Sequence, residues 1–172
     1  PQSNFLPPEE RFYAGGSNTV RGFDRNQLGP GVWFADSVKV DVLTKDTIPA
    51  SSPIFVPTGG TIMGIVNVEL RTPSPILSQQ LSLAWFVDAA SVGTGQLSGL
   101  GAWRATPGIG LRAGTPVGPF RLDVAYNPYP ANEGPLYHAT AAGLVRLQRS
   151  YRPPAPSFLG RLHFTLAVGQ AF

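Results

Sequence analysis

The chain has 172 residues, of which 42% are hydrophobic and only 13% charged, about half the charged share of an ordinary soluble domain. Its formal net charge of +3 comes from basic residues scattered singly, which excludes a nucleic-acid-binding stripe, and the absence of cysteine excludes disulfides and cysteine-based metal sites. No run approaches about 18 apolar residues, so a transmembrane helix is excluded, and low charge with interrupted apolar residues points instead to a membrane β-barrel.

The 20 glycines and 18 prolines argue for short strands joined by turns. Pro1 to Glu10 is polar and proline-rich, unlike a signal peptide, and the chain is expected to be a piece of something longer. Up to residue 60 the sequence reads as irregular, and five strands are expected after it. In Thr61 to Thr72, Ile62, Gly64, Val66, Val68 and Leu70 share one face, and Met63, Ile65, Asn67, Glu69 and Arg71 the other. From Leu81 to Val92, Leu81, Leu83, Trp85 and Val87 oppose Ser82, Ala84, Phe86 and Asp88. Trp103 to Thr115 sets Ile109, Leu111 and Ala113 against Arg104, Thr106, Gly108, Gly110 and Arg112. Pro119 to Asn127 alternates without a lapse, Phe120, Leu122, Val124 and Tyr126 against Arg121, Asp123, Ala125 and Asn127. Leu162 to Phe172 sets Leu162, Phe164, Leu166 and Val168 against His163, Thr165, Ala167 and Gly169. This period of two is the strand signal. In a soluble sandwich the apolar face is the core; in a barrel it meets lipid and the charged face lines the lumen.

The connections alternate in length. Thr115 to Pro119 and the stretch opening at Thr72-Pro73-Ser74-Pro75-Ile76 are short, whereas Gly93 to Ala102 and Pro128 to Arg161 are long, with weak alternation from Tyr137 to Leu147 that extends into a hairpin at most. Short turns on one side and long loops on the other are the outer-membrane pattern.

Arg11-Phe12-Tyr13-Ala14-Gly15-Gly16-Ser17-Asn18-Thr19-Val20-Arg21-Gly22-Phe23 resembles the sixth extracellular loop of Omp85 superfamily barrels. Asn67 to Pro73, Phe86-Val87-Asp88 with Gly93, Gly108 to Arg112, Pro116 to Pro119 and Arg121-Leu122-Asp123 resemble the strands that follow it in that family. The terminal Phe-Thr-Leu-Ala-Val-Gly-Gln-Ala-Phe, with Phe164, Leu166, Val168, Gly169 and Phe172, is similar to the β-signal of bacterial outer-membrane proteins. The resemblance implies an all-β, antiparallel meander forming the C-terminal part of a transmembrane barrel. Residues 1–60 are then the loop-six region, folded inward, and 61–172 the last strands. It further implies that Arg21 meets Glu69 and Asp88 across the lumen, with Gly15, Gly16 and Gly22 letting the backbone approach the wall. On the residues alone, both acids are equally lumen carboxylates balancing Arg104, Arg112 and Arg121.

The implied work is mechanical and non-enzymatic: insertion or translocation of other barrel proteins in the bacterial outer membrane, through a lateral seam at the last strand. Its partners are outer-membrane lipid, unfolded β-barrel clients, and the earlier barrel strands and periplasmic domains of the full-length chain. A two-partner-type secretion pore and an enzyme-fused barrel are alternatives within the family. A passive channel and a soluble β-sandwich binding module, which detergent-free solubility would favour, lie outside it. No cofactor is expected, and the isolated His138 and His163 suggest no metal. Gly108-Ile109-Gly110 lies within a strand pattern and is no phosphate loop. Trp33, Trp85 and Trp103 fit either interfacial girdles or core filling.

Overall fold

Bulky apolar residues alternating with small or polar ones, cut by Gly and Pro, build strands and little else. The computed structural model describes residues 6–40, 47–75, 80–95, 99–116 and 118–169. Its strands are β1 (Gly31–Ala35), β2 (Val38–Val40), β3 (Thr47–Pro49), β4 (Ile54–Pro57), β5 (Ile62–Pro73), β6 (Leu81–Gly93), β7 (Arg104–Thr115), β8 (Gly118–Tyr126), β9 (Gly134–Thr140), β10 (Gly143–Tyr151) and β11 (Leu162–Val168).

The main sheet has the order β11-β8-β7-β6-β5, every neighbour antiparallel. These are the five strands expected from periodicity; the first four have bounds shifted by a residue, and β11 ends at Val168 where the strand was expected to reach Phe172. At 12 and 13 residues, β5 and β6 are long enough to cross a bilayer core, which takes about 9–11 tilted residues. The sheet is open, with β5 and β11 as its edges. Residues 170–172, including the expected terminal aromatic Phe172, lie outside the described residues.

The two faces of this sheet reverse the soluble pattern. Val68, Leu70, Trp85, Ile109 (53% exposed), Phe164 (70%) and Leu166 (63%) lie bare on one side. On the other, Asp88, Thr106 and Asp123 are buried under the N-terminal segment. A soluble sandwich would bury the first set against a second layer, and among the described residues no such layer covers it. Hydrocarbon is the solvent that such a face fits.

Two readings of the sequence need correction. The stretch before residue 60 is not wholly irregular, because it holds β1 to β4. The long connection after Pro128 holds the β9–β10 hairpin, a little wider than Tyr137 to Leu147. Among the described residues β2 and β3 pair only with each other, while β1 and β4 join that hairpin in a second sheet, β10-β9-β1-β4, in which β1 and β9 run parallel. Its small core settles the ambiguity at Trp33, which is buried with Ala35 and Leu136 against Phe55 and Tyr151. Trp33 fills a core, whereas Trp85 and Trp103 are exposed.

Residues 11–30 lie on the face of the main sheet that carries Asp88, Thr106 and Asp123. Phe12 bridges to Gly60 and Ala14 to Leu28, and Ala14, Val20, Phe23 and Leu28 pack on Ala90 and Val92 of β6. The segment is therefore seated by its own apolar core, not only by charge.

The facing rule predicts a clear asymmetry. Ile109→Arg, on the bare face, should destabilise the intact protein in lipid vesicles by about 2–4 kcal/mol if it sits near the midplane. Thr165→Arg, on the opposite face of β11, should cost far less. Equal losses in denaturant titrations would contradict the assignment of faces.

Candidate functional site

Period-two geometry sends one polar set inward from each strand, and the register then decides which members meet. Asn67, Asp88 and Thr106 form one cross-strand row on β5, β6 and β7. In the next row Glu69 pairs with Phe86, which pairs with Gly108. Asp123 of β8 falls one row further on, opposite Gly110. Three carboxylates from three strands thus surround the ring of Phe86.

The loop delivers a cation to this point. Gly15 (φ 113°) and Gly16 (φ 99°) turn the chain with left-handed backbones that side chains rarely adopt. The turn is tied by Gly16 N–H donating to the Phe23 carbonyl at 2.8 Å and Gly15 N–H donating to Thr19 Oγ1 at 2.8 Å. Val20 and Phe23 face the small core, which leaves Arg21 pointing at the wall. Gly22 lies so close to β7 that a Cβ on it would stand 2.5 Å from Thr106 Cβ. No larger residue fits there without moving the loop.

Arg21 is saturated. Its Nε and Nη2 donate to Asp88 Oδ2 and Oδ1 at 2.7 and 2.8 Å, a two-pronged contact, and its backbone N–H adds a third bond to Oδ2 at 3.1 Å. Its Nη1 donates to Glu69 Oε2 at 2.8 Å and to Asp123 Oδ2 at 3.3 Å. The guanidinium carbon sits 3.4 Å from the centre of the Phe86 ring, a cation–π contact. Arg21 is 7% exposed and Asp88 fully buried. Burial on its own lowers the pKa of Arg21, but the hydrogen bonds to Asp88 and Glu69 outweigh it and raise the value, so the group stays charged.

Around this contact the charges interlock. Arg112 pairs with Asp123 and reaches Glu69 at 3.1 Å. Arg121 lies 3.1 Å from Asp123, and Arg71 donates to Glu69 at 2.8 Å. Asn67 holds the other flank, donating to Asp88 Oδ1 at 2.8 Å and to the Thr19 carbonyl at 2.7 Å. The two readings of Glu69 therefore coexist, because it serves both Arg21 and Arg112.

The structure brings Arg21, Gly22, Glu69 and Asp88 together, with Gly15, Gly16, Val20 and Phe23 shaping the turn. Phe164, Leu166 and Val168 stand apart on the bare face of β11, and Gly169 follows its end with φ 98°. Asp123, Asn67, Thr106 and Phe86 were missed as parts of the site. Alternation had put all of them inward, but only the register shows them meeting at one point.

The geometry can be set beside known proteins. The family model described as the Omp85 superfamily domain matches residues 2–172. Outer envelope protein 80, chloroplastic, from Arabidopsis thaliana is 27% identical over 120 residues, covering 70% of this chain. The chain matches about 13% of that protein's own length. The crystal structure of BamA from Haemophilus ducreyi lacking POTRA domains 1-3 superposes with a TM-score of 0.52 at 23% identity. That match covers 84% of this chain and 27% of the other, and it concerns the fold.

The close approach at Gly22 generates a prediction with its own rescue. Gly22→Ala should unseat the loop, read as faster proteolysis between residues 11 and 30 in the intact protein. Thr106→Gly in the same chain should restore protection, as expected of residues in direct contact. Equal cleavage of Gly22→Ala and wild type would show that the approach is looser than described.

Proposed function

This chain belongs to the Omp85 superfamily, and from that premise we propose that it is the C-terminal part of an outer-membrane barrel that inserts or translocates other barrel proteins. In this reading residues 1–60 are the sixth extracellular loop and its flanks, and 61–172 the last strands. Val20-Arg21-Gly22-Phe23 is the loop's locking tip, Glu69 and Asp88 are its acceptors, and Asp123 is a third.

The observation that carries the reading is the convergence of three carboxylates on one buried guanidinium. A loop clamped inside the wall takes up lumen that a channel for small solutes would use. A barrel that must part its strands does need a fixed interior strut, so that one seam yields while the rest of the wall stays closed. β11 is the edge available for such a seam. An edge strand carries unpaired N–H and C=O groups, which template pairing with an incoming strand. Phe164, Leu166 and Val168 lie on its lipid-facing side, where a terminal recognition signal ending at Phe172 would continue.

The reading assigns the protein to the bacterial outer membrane, with lipid, unfolded β-barrel clients, and further barrel strands and periplasmic domains as partners. The likeness to a chloroplast envelope protein supports an envelope membrane more broadly. No catalytic step and no cofactor is part of the proposal.

Client insertion by the intact protein in lipid vesicles tests it. Arg21→Ala should slow insertion about tenfold or more, a factor equivalent to about 1.4 kcal/mol. Arg21→Lys should also be impaired, because an ammonium cannot reproduce the two-pronged contact with Asp88. Unchanged insertion by both variants, with folding intact, would remove the lock from the mechanism.

A further inference from the structure

Among the basic residues of the face that carries Asp88, Arg104 stands apart. Arg71, Arg112 and Arg121 each reach Glu69 or Asp123. Arg104, at the start of β7, meets no carboxylate among the described residues; its Nη1 is buried without a hydrogen-bond partner, as are Nε of Arg112 and Nε of Arg121, but those two side chains have their acids. Its guanidinium lies instead beside two rings, 5.5 Å from the centre of Tyr129 and 6.0 Å from that of Phe23. Arg104 is half-buried, and a guanidinium partly withdrawn from water with no acid beside it favours a negative partner.

Other atoms of the Arg104 side chain border an open space, since Nη1 itself is covered. Arg104 lines a cavity of about 200 Å³ between the loop, the second sheet and the ends of β8 and β11. That is several times the roughly 30 Å³ a single water occupies in the liquid. Arg161 and His163 line the same cavity. Arg161 uses Nη1 on the carbonyls of Pro128 (2.8 Å) and Asn127 (3.4 Å). Asp24, the carboxylate in this lining, is mostly exposed and sits 3.2 Å from His163 Nδ1. Two arginines and a histidine thus share a pocket whose one acid already has a partner. Trp33 and Phe23 add an apolar wall.

We propose that this cavity is a binding site for an oxyanion, a phosphate or carboxylate group, held chiefly by Arg104 with Arg161 as a second donor. A planar guanidinium presents paired N–H groups to two oxygens of such an anion, and the cavity leaves room for them. The site lies at the end of the sheet that carries the long connections 94–103 and 127–161, one shell beyond the Arg21 cluster. It does not depend on the insertion reading. The anion has two possible sources, a soluble phosphate or an acidic side chain from elsewhere in the intact protein.

Equilibrium dialysis of the intact protein in detergent against radiolabelled inorganic phosphate, at ionic strength held constant with chloride, separates the outcomes. Saturable binding of one phosphate per chain is expected. It should weaken between about tenfold and about a hundredfold in Arg104→Gln, the range for loss of a hydrogen bond to a charged group. Arg146→Gln, on the exposed β10, should bind as wild type. Should Arg104→Gln fail to fold, Arg104→Lys takes its place, with weakened but measurable binding expected. If wild type binds no phosphate, a structure of the intact protein decides: a carboxylate of the same chain against Arg104 supports the site and names its source. Phosphate binding unaffected at Arg104, or water in place of an anion there, overturns the proposal.

Discussion

A guanidinium shut away from water has to be surrounded by acceptors, and that constraint organises this chain. Arg21 donates to Asp88, Glu69 and Asp123, which belong to three different strands. Each acid reaches the same point only if β5, β6, β7 and β8 keep their register, since a slip of one residue would turn every inward group outward. The contact therefore reports on the whole sheet as well as on the loop. It also explains why the cluster contains several arginines. Three carboxylates around one cation would repel one another, and Arg112, Arg121 and Arg71 supply the charge that lets them stay close. Removing one partner of a buried ionic group leaves the other stranded, which typically costs about 3–5 kcal/mol, more than a well-packed apolar replacement would. The cluster is better understood as a device for specifying one seat for the loop than as a general source of stability.

The same inversion appears in the sheet's two solvents. Val68, Leu70, Trp85 and Ile109 face outward, bare of protein, while the acids lie inside. In hydrocarbon the outward set costs nothing. The inward set is tolerated because the loop and its partner arginines cover it. The alternation thus serves two environments at once, and the apolar core that a soluble domain concentrates in one place is divided here. One part is given to lipid, one to the contact of Val20, Phe23 and Leu28 with Ala90 and Val92, and one to Trp33 and Leu136 in the second sheet.

This division governs what could be read from the chain. β5 to β8 and β11 were legible because lipid and lumen impose opposite chemistries on alternate residues, so the period of two is strong in each strand alone. β1 to β4 were not, because at 3–5 residues they are too short for a period of two to stand out, and one partner of β1 is remote. Trp33 pairs in register with Leu136, more than a hundred residues away, and no local pattern announces a parallel pairing of that kind. Arg21, Glu69 and Asp88 stood out through the loop motif, whereas Asp123 looked like one inward carboxylate among others. Its place in the cluster comes from lying opposite Gly110, a fact of register and not of composition.

The distribution of ties across the sheet completes the picture. Between them, β5 to β8 hold residues 11–30 through Asn67, Glu69, Asp88, Asp123 and the Arg121 contact with the Ser17 carbonyl. Among the described residues, the polar ties from that segment to β11 come down to Asp24 and His163, an outer contact with an exposed carboxylate. Beside it a polar groove separates Ser17, Arg21 and Arg25 from the inward side of β11. Losing an exposed polar pair costs about 0–1 kcal/mol, far less than stranding one partner of the buried contact at Asp88. The loop's polar ties therefore fall on β5, β6 and β8, β7 meets it by packing at Gly22 and Thr106, and β11 is tied to it only at that outer contact. What joins β11 to the rest is its antiparallel pairing with β8 from Leu162 to Val168, so the edge strand is held by its ladder and the loop by the cluster.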